Sequence, residues 1–118
     1  MWKKLFGLES SSAVKIQNIT VQDLQQRLQN DKSIILLDVR TEQEYRHDGH
    51  IQGTRHIPLS NLEQRSGKLP KDRPVVCVCR SGNRSQTACR QLANQGFTEV
   101  INLAGGMVAW RRAGLPIK

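Results

Sequence analysis

Aromatic residues are scarce in this chain, with two Trp, one Tyr and two Phe among 118 residues. No zinc-finger or RNA-recognition signature accompanies them, so nucleic acid is not the expected partner. Cysteine is scarce as well: Cys77, Cys79 and Cys89 are an odd set. That number does not make a disulfide framework, and it suits a reducing cytoplasm. The thioredoxin-type pair with two intervening residues is absent, and Cys77 and Cys79 with His47, His50 and His56 lack the spacing of a zinc site. Neither a metal nor a cofactor is expected.

Long apolar runs are missing too. The opening Met1-Trp2-Lys3-Lys4-Leu5-Phe6-Gly7-Leu8 starts like a signal peptide but stops at Glu9 and the serines that follow. A secretory core needs about 7–15 apolar residues and a membrane span about 18, so neither export nor a membrane span is expected. Residues 1–13 are expected to form a flexible leader, with one domain over 14–118. Acidic residues are outnumbered, ten against eighteen Lys and Arg, for a formal charge of +8. A positive field of this kind concentrates small anions and speeds their arrival.

What is present is an alternation of strand and helix signals. The length suits one domain, and the 37% apolar content points to a core of Leu, Ile, Val and Ala. Val14 to Ile19 alternates as a half-buried strand does. Thr20 lies three residues before Asp23 as a helix cap, and Val21, Leu24 and Leu28 form an apolar stripe. Ile34 to Val39 is continuously apolar but for Asp38, the pattern of a central parallel strand covered on both faces. Thr41 with Glu44 reads as a capping box, and Gly49 and Gly53 precede a short strand ending at Ile57-Pro58. Leu59 to Leu69 reads as a brief helix and loop. A strand over Val75–Cys79, a helix over Asn83–Gln95, a strand over Glu99–Leu103 and a last helix through Trp110 complete the series. The fold class is therefore α/β, a mostly parallel central sheet flanked by helices on both faces.

The chemistry concentrates in Cys79-Arg80-Ser81-Gly82-Asn83-Arg84-Ser85. Ligands of open α/β sheets bind beyond the carboxyl ends of the strands, where this segment falls. Unpaired N–H groups and the dipole at the following helix start favour an anion. Arg80 and Arg84 add two full charges, so the Cys79 pKa is expected below the free value of about 8.5. A buried cysteine closing a core strand is the ordinary alternative, but two arginines within five residues are costly to bury unpaired. Cys79 is thus expected as a nucleophile in an anion-binding loop. Cys77 and Cys89 fall on apolar faces and are expected in the core, with a resolving thiol as the alternative role.

Four segments together resemble the rhodanese family. They are Asp38-Val39-Arg40 with Glu44-Tyr45, Gly49 to Pro58, Cys79 to Ser85, and Leu103-Ala104-Gly105-Gly106-Met107 with Trp110. The resemblance covers roughly residues 14 to 117. It implies a rhodanese-like fold and a sulfurtransferase carrying sulfur as a Cys79 persulfide. The donor would be a small anion such as thiosulfate or a persulfide, and the acceptor cyanide, a thiol or a protein. The resemblance gives Arg80 to Ser85 the role of binding donor and persulfide, with Arg84 either holding the donor or bracing the loop. Asp38 and Arg40 would brace neighbouring loops, His50 would be structural and Trp110 a core anchor. A non-catalytic rhodanese-like binding module is the first alternative. A phosphatase or arsenate reductase is the second, although those enzymes set five residues between Cys and Arg where this chain has four.

Overall fold

The computed structural model describes residues 14–118, so the leader expected over 1–13 lies outside the described residues. In chain order the elements are β1 (Ile16–Ile19), α1 (Val21–Asn30), β2 (Ile35–Asp38), α2 (Glu42–His47) and β3 (Arg55–His56). After them come α3 (Leu62–Arg65) between two short 3-10 turns, β4 (Val75–Val78), α4 (Asn83–Asn94), β5 (Val100–Leu103) and α5 (Gly106–Arg112). All strand pairs are parallel, in the order β1-β5-β4-β2-β3.

β2, β4 and β5 are buried along their whole length, which is why their sequences run apolar without alternating. Their side chains still divide by parity. Ile35, Leu37, Val75 and Cys77 pack with Leu62, Ala88, Cys89 and Leu92, so α3 and α4 cover one face. Leu36, Val76, Val78 and Ile101 pack with Val21, Leu24, Met107 and Trp110, so α1 and α5 cover the other. Helices on both faces are as the sequence predicts. Thr20 caps α1 through its hydroxyl, which accepts the Asp23 N–H at 3.1 Å. The Thr41–Glu44 capping box opens α2.

Strand order positions the site. From β2 the chain moves on to β3, and from β4 to β5, in opposite directions across the sheet. The crevice beyond the carboxyl ends of β2 and β4 is therefore the switch point where α/β sheets hold ligands. Arg40 and Cys79 both lie there. β4 ends at Val78, one residue earlier than expected, so Cys79 opens the loop.

Candidate active site

Cys79 is buried, and its thiol is ringed by the backbone that follows it. The Gly82 N–H donates to Sγ at 3.0 Å, and Ser85 Oγ lies 3.2 Å away. The Ser81 and Ser85 N–H groups also favour the charged sulfur. So tight a ring needs glycine at position 82. Gly82 has φ +105°, and a Cβ there would sit 3.3 Å from the Gly105 nitrogen. Burial works against the thiolate and is the largest single influence. The Ser85 hydroxyl and the N–H groups of Ser85, Gly82 and Ser81 together outweigh it, drawing the thiol below its ordinary value.

The direction agrees with the sequence expectation, and so does one of its causes, the N–H groups at the helix start. Two arginine charges were also expected to lower this pKa, but Arg84 is committed elsewhere. Its guanidinium grips Glu44 at 2.7 and 2.8 Å, in the two-pronged geometry that carboxylates favour. That grip, helped by bonds from Thr41, holds the Glu44 carboxyl down to about 2 against the cost of burial. Arg80 is exposed and has no ion-pair partner among the described residues. Ser81 and Asn83 are exposed as well. The loop thus holds its anion mainly with neutral donors, as oxyanion-binding sites do.

Behind the ring runs a polar chain that sequence reasoning missed. Buried Ser85 donates its hydroxyl to buried Asn102 Oδ1, and Asn102 Nδ2 donates to Asn18 Oδ1 at 3.0 Å. Asn18 and Asn102 are register partners on β1 and β5. The available signal was an asparagine inside Val100-Ile101-Asn102-Leu103, since a buried polar side chain in an apolar strand must have partners. Ser85 has one hydroxyl hydrogen and two acceptors in reach, so turning it from Asn102 toward the sulfur gives the thiolate a hydrogen-bond donor. Ser85→Ala removes a donor to the charged form and is expected to raise the pH midpoint of Cys79 alkylation. An unchanged iodoacetamide pH profile would leave Ser85 without a part in tuning the thiol.

The remaining motif residues brace this crevice. Asp38 and Arg40 form a buried ion pair at 2.8 Å, and Arg40 also donates to the Gly49 carbonyl at 2.8 Å. This is the brace the sequence predicts. Tyr45 is stacked between His50 and His56, with ring centroids 3.9 and 4.2 Å apart. His50 is thereby engaged with Tyr45, consistent with a structural role. Trp110 is buried and donates to the Pro116 carbonyl at 2.8 Å, anchoring α5 in the core as expected. Cys77 and Cys89 are fully buried and free. A hydrogen bond with Cys89, then burial, pushes the Cys77 thiol well up, the opposite of Cys79. Among the described residues, no cluster of His, Cys, Asp and Glu could hold a metal ion, and no helix is long and apolar enough to cross a membrane.

A parallel sheet with a lowered-pKa cysteine in a ring of amides at its switch point defines a class, and the family comparison agrees. Residues 20–113 match the rhodanese-like domain model, and the chain belongs to that family. It is 42% identical over 102 residues to a sulfurtransferase of Allochromatium vinosum, covering 86% of this chain and 94% of the relative. It is 39% identical over 82 residues to the thiosulfate sulfurtransferase GlpE of Shewanella oneidensis, covering 70% and 80%. Among solved structures, a rhodanese-related protein from Thermoplasma volcanium superposes with a TM-score of 0.77 at 30% identity, covering 86% of this chain and 97% of that one.

Proposed function

We propose that this protein is a sulfurtransferase that carries a sulfane sulfur as a persulfide on Cys79. The observation that carries the proposal is the Cys79 sulfur itself, drawn toward thiolate inside a ring of inward-facing N–H groups. The thiolate attacks the outer sulfur of thiosulfate. A bond forms from Sγ to that sulfur as the donor's S–S bond breaks, and the bonding pair leaves on sulfite. A nucleophilic acceptor, cyanide or a thiol, then takes the outer sulfur and returns the Cys79 thiolate. This is covalent catalysis in two displacements, with no net oxidation and no general base.

The N–H groups of Ser81, Gly82 and Ser85 stabilise the negative charge, with Asn83 at the rim of the loop. Arg80, beside the nucleophile and without an ion-pair partner among the described residues, suits a doubly negative donor. Of the two roles open to Arg84, its grip on Glu44 favours bracing the loop. The family relatives that carry sulfurtransferase names support the reaction class. Thiosulfate is the natural first donor to test, because one of those relatives is named for it. Three free cysteines fit a reducing cytoplasm. We assign residues 14–118 to one rhodanese-like domain behind a leader over 1–13.

A non-catalytic binding module has less support, since nothing in such a module requires a tuned thiol. A phosphatase must encircle a tetrahedral oxyanion, whereas here a 3.0 Å amide contact already closes on the sulfur. Intact-mass measurement after incubation with thiosulfate tests the proposal. The protein is expected to gain one sulfur atom and to lose it on adding cyanide. A mass unchanged by thiosulfate and by persulfide donors alike would point to the binding module instead.

A further inference from the structure

Ser85 stands between two acceptors, and only one of them changes charge. Its hydroxyl donates to Asn102 Oδ1 and lies 3.2 Å from Cys79 Sγ. Ser85 is fully buried and Asn102 is 3% exposed, so both are shut off from solvent. Asn102 is also held from behind. Its Nδ2 donates to Asn18 Oδ1 at 3.0 Å, which turns the amide oxygen toward Ser85. Strand pairing sets that contact, since Asn102 of β5 is the register partner of Asn18 on β1 and of Cys77 on β4. The amide lies directly under the loop: a Cβ on Gly82 would stand 3.8 Å from its nitrogen.

One hydrogen cannot serve both acceptors. While Cys79 is a thiol, its S–H points at Ser85 Oγ and the Ser85 hydrogen at Asn102, so the whole row is paired. Once the proton leaves, the thiolate draws the Ser85 hydrogen, and Asn102 Oδ1 loses its donor. An unpaired buried acceptor is unfavourable, so Asn102 opposes the bare thiolate that the loop amides favour. Sulfur loading reverses the competition. When the thiolate attacks thiosulfate, the Sγ–S bond forms, the donor's S–S bond breaks with its pair on sulfite, and the charge ends on the outer sulfur. Sγ is then an uncharged divalent sulfur, a weak acceptor, and the Ser85 hydrogen returns to the amide.

We infer that Asn102 is a positioning residue for the Ser85 hydroxyl, withholding its hydrogen from the bare thiolate and taking it back when Cys79 carries sulfur. The second half rests on the sulfurtransferase reading; the first concerns the free thiol alone. Other charged and titratable groups surround Cys79. They are Cys77 on β4 and Cys89 on α4, Arg80 and Arg84 in the loop, Asp38 with Arg40 after β2, and Glu44 on α2. Arg111 and Arg112 on α5 lie beyond Arg80. Among the described residues, none of these groups except Cys79 itself hydrogen-bonds to the side chains of Ser85 or Asn102.

Asn102→Val is the test, because a β-branched side chain suits a buried strand. It removes the competing acceptor, so the pH midpoint of Cys79 alkylation by iodoacetamide is expected to fall by about one unit, opposite to Ser85→Ala. Added to Ser85→Ala, the same substitution is expected to move the midpoint no further. Above the midpoint, at a fixed ratio of thiosulfate to sulfite, intact mass is expected to show about tenfold less persulfide relative to unloaded protein. A midpoint that stays or rises in Asn102→Val, or falls equally without Ser85, overturns the positioning role. Should that variant not fold, Asn18→Ala at an exposed position frees the amide to turn, and the same outcomes decide. An unchanged loading balance overturns the second half. Failure of the wild-type protein to load from any donor counts against the sulfurtransferase reading instead, and the alkylation profiles still judge Asn102.

Discussion

Cys79→Ser is expected to abolish sulfur transfer, a loss of at least about 10⁴-fold in turnover, while the protein melts within a few degrees of wild type. A serine hydroxyl stays protonated near neutral pH and cannot carry a persulfide. Its oxygen still finds the same neighbours, the Gly82 N–H and the Ser85 hydroxyl, so the loop keeps its shape. Turnover with thiosulfate and cyanide, followed as thiocyanate, makes the measurement. Appreciable activity in the variant would move the nucleophile to Cys77 or Cys89. Both are fully buried, and Cys77 is held firmly as a neutral thiol, so neither is equipped to take over.

The second large effect falls on stability. Asp38→Ala leaves the Arg40 side chain, 2% exposed, with the Gly49 carbonyl as its remaining hydrogen-bond partner. Breaking a buried pair by deleting one member costs about 3–5 kcal/mol, because an uncompensated charge stays inside. For a domain of this size that is a fall in Tm on the order of 15 °C. The double variant Asp38→Leu/Arg40→Met removes both charges together and is expected to recover most of the loss. Calorimetry on the three proteins decides the matter. A single variant that melts with wild type would mean that the pair braces nothing.

The Asp38–Arg40 brace was legible because its partners stand two residues apart and close an apolar run. The candidate nucleophile was legible for a similar reason. Val75-Val76-Cys77-Val78 ends in Cys79, and a glycine-containing polar turn follows directly before helix α4. The two arginines of that turn were legible as charges, but their employment was not. Arg84 meets Glu44 forty positions earlier, and nothing local marks the pair. Asn102 was hidden inside a strand whose apolar neighbours dominated the pattern, and its partner Asn18 comes from the far end of the chain.

Local pattern alone therefore determined the elements, the parallel α/β class and the capping of α1 and α2, and it marked Cys79 as the candidate nucleophile. These follow from side-chain periodicity and from turn chemistry acting over a few residues. The tertiary structure alone decided which groups tune that thiol, where Arg84 spends its charge, and how His50 stacks on Tyr45. Each of those is a contact between segments brought together by strand order. Hydrogen bonds and ion pairs act over a few ångströms, and distance along the chain does not encode distance in space.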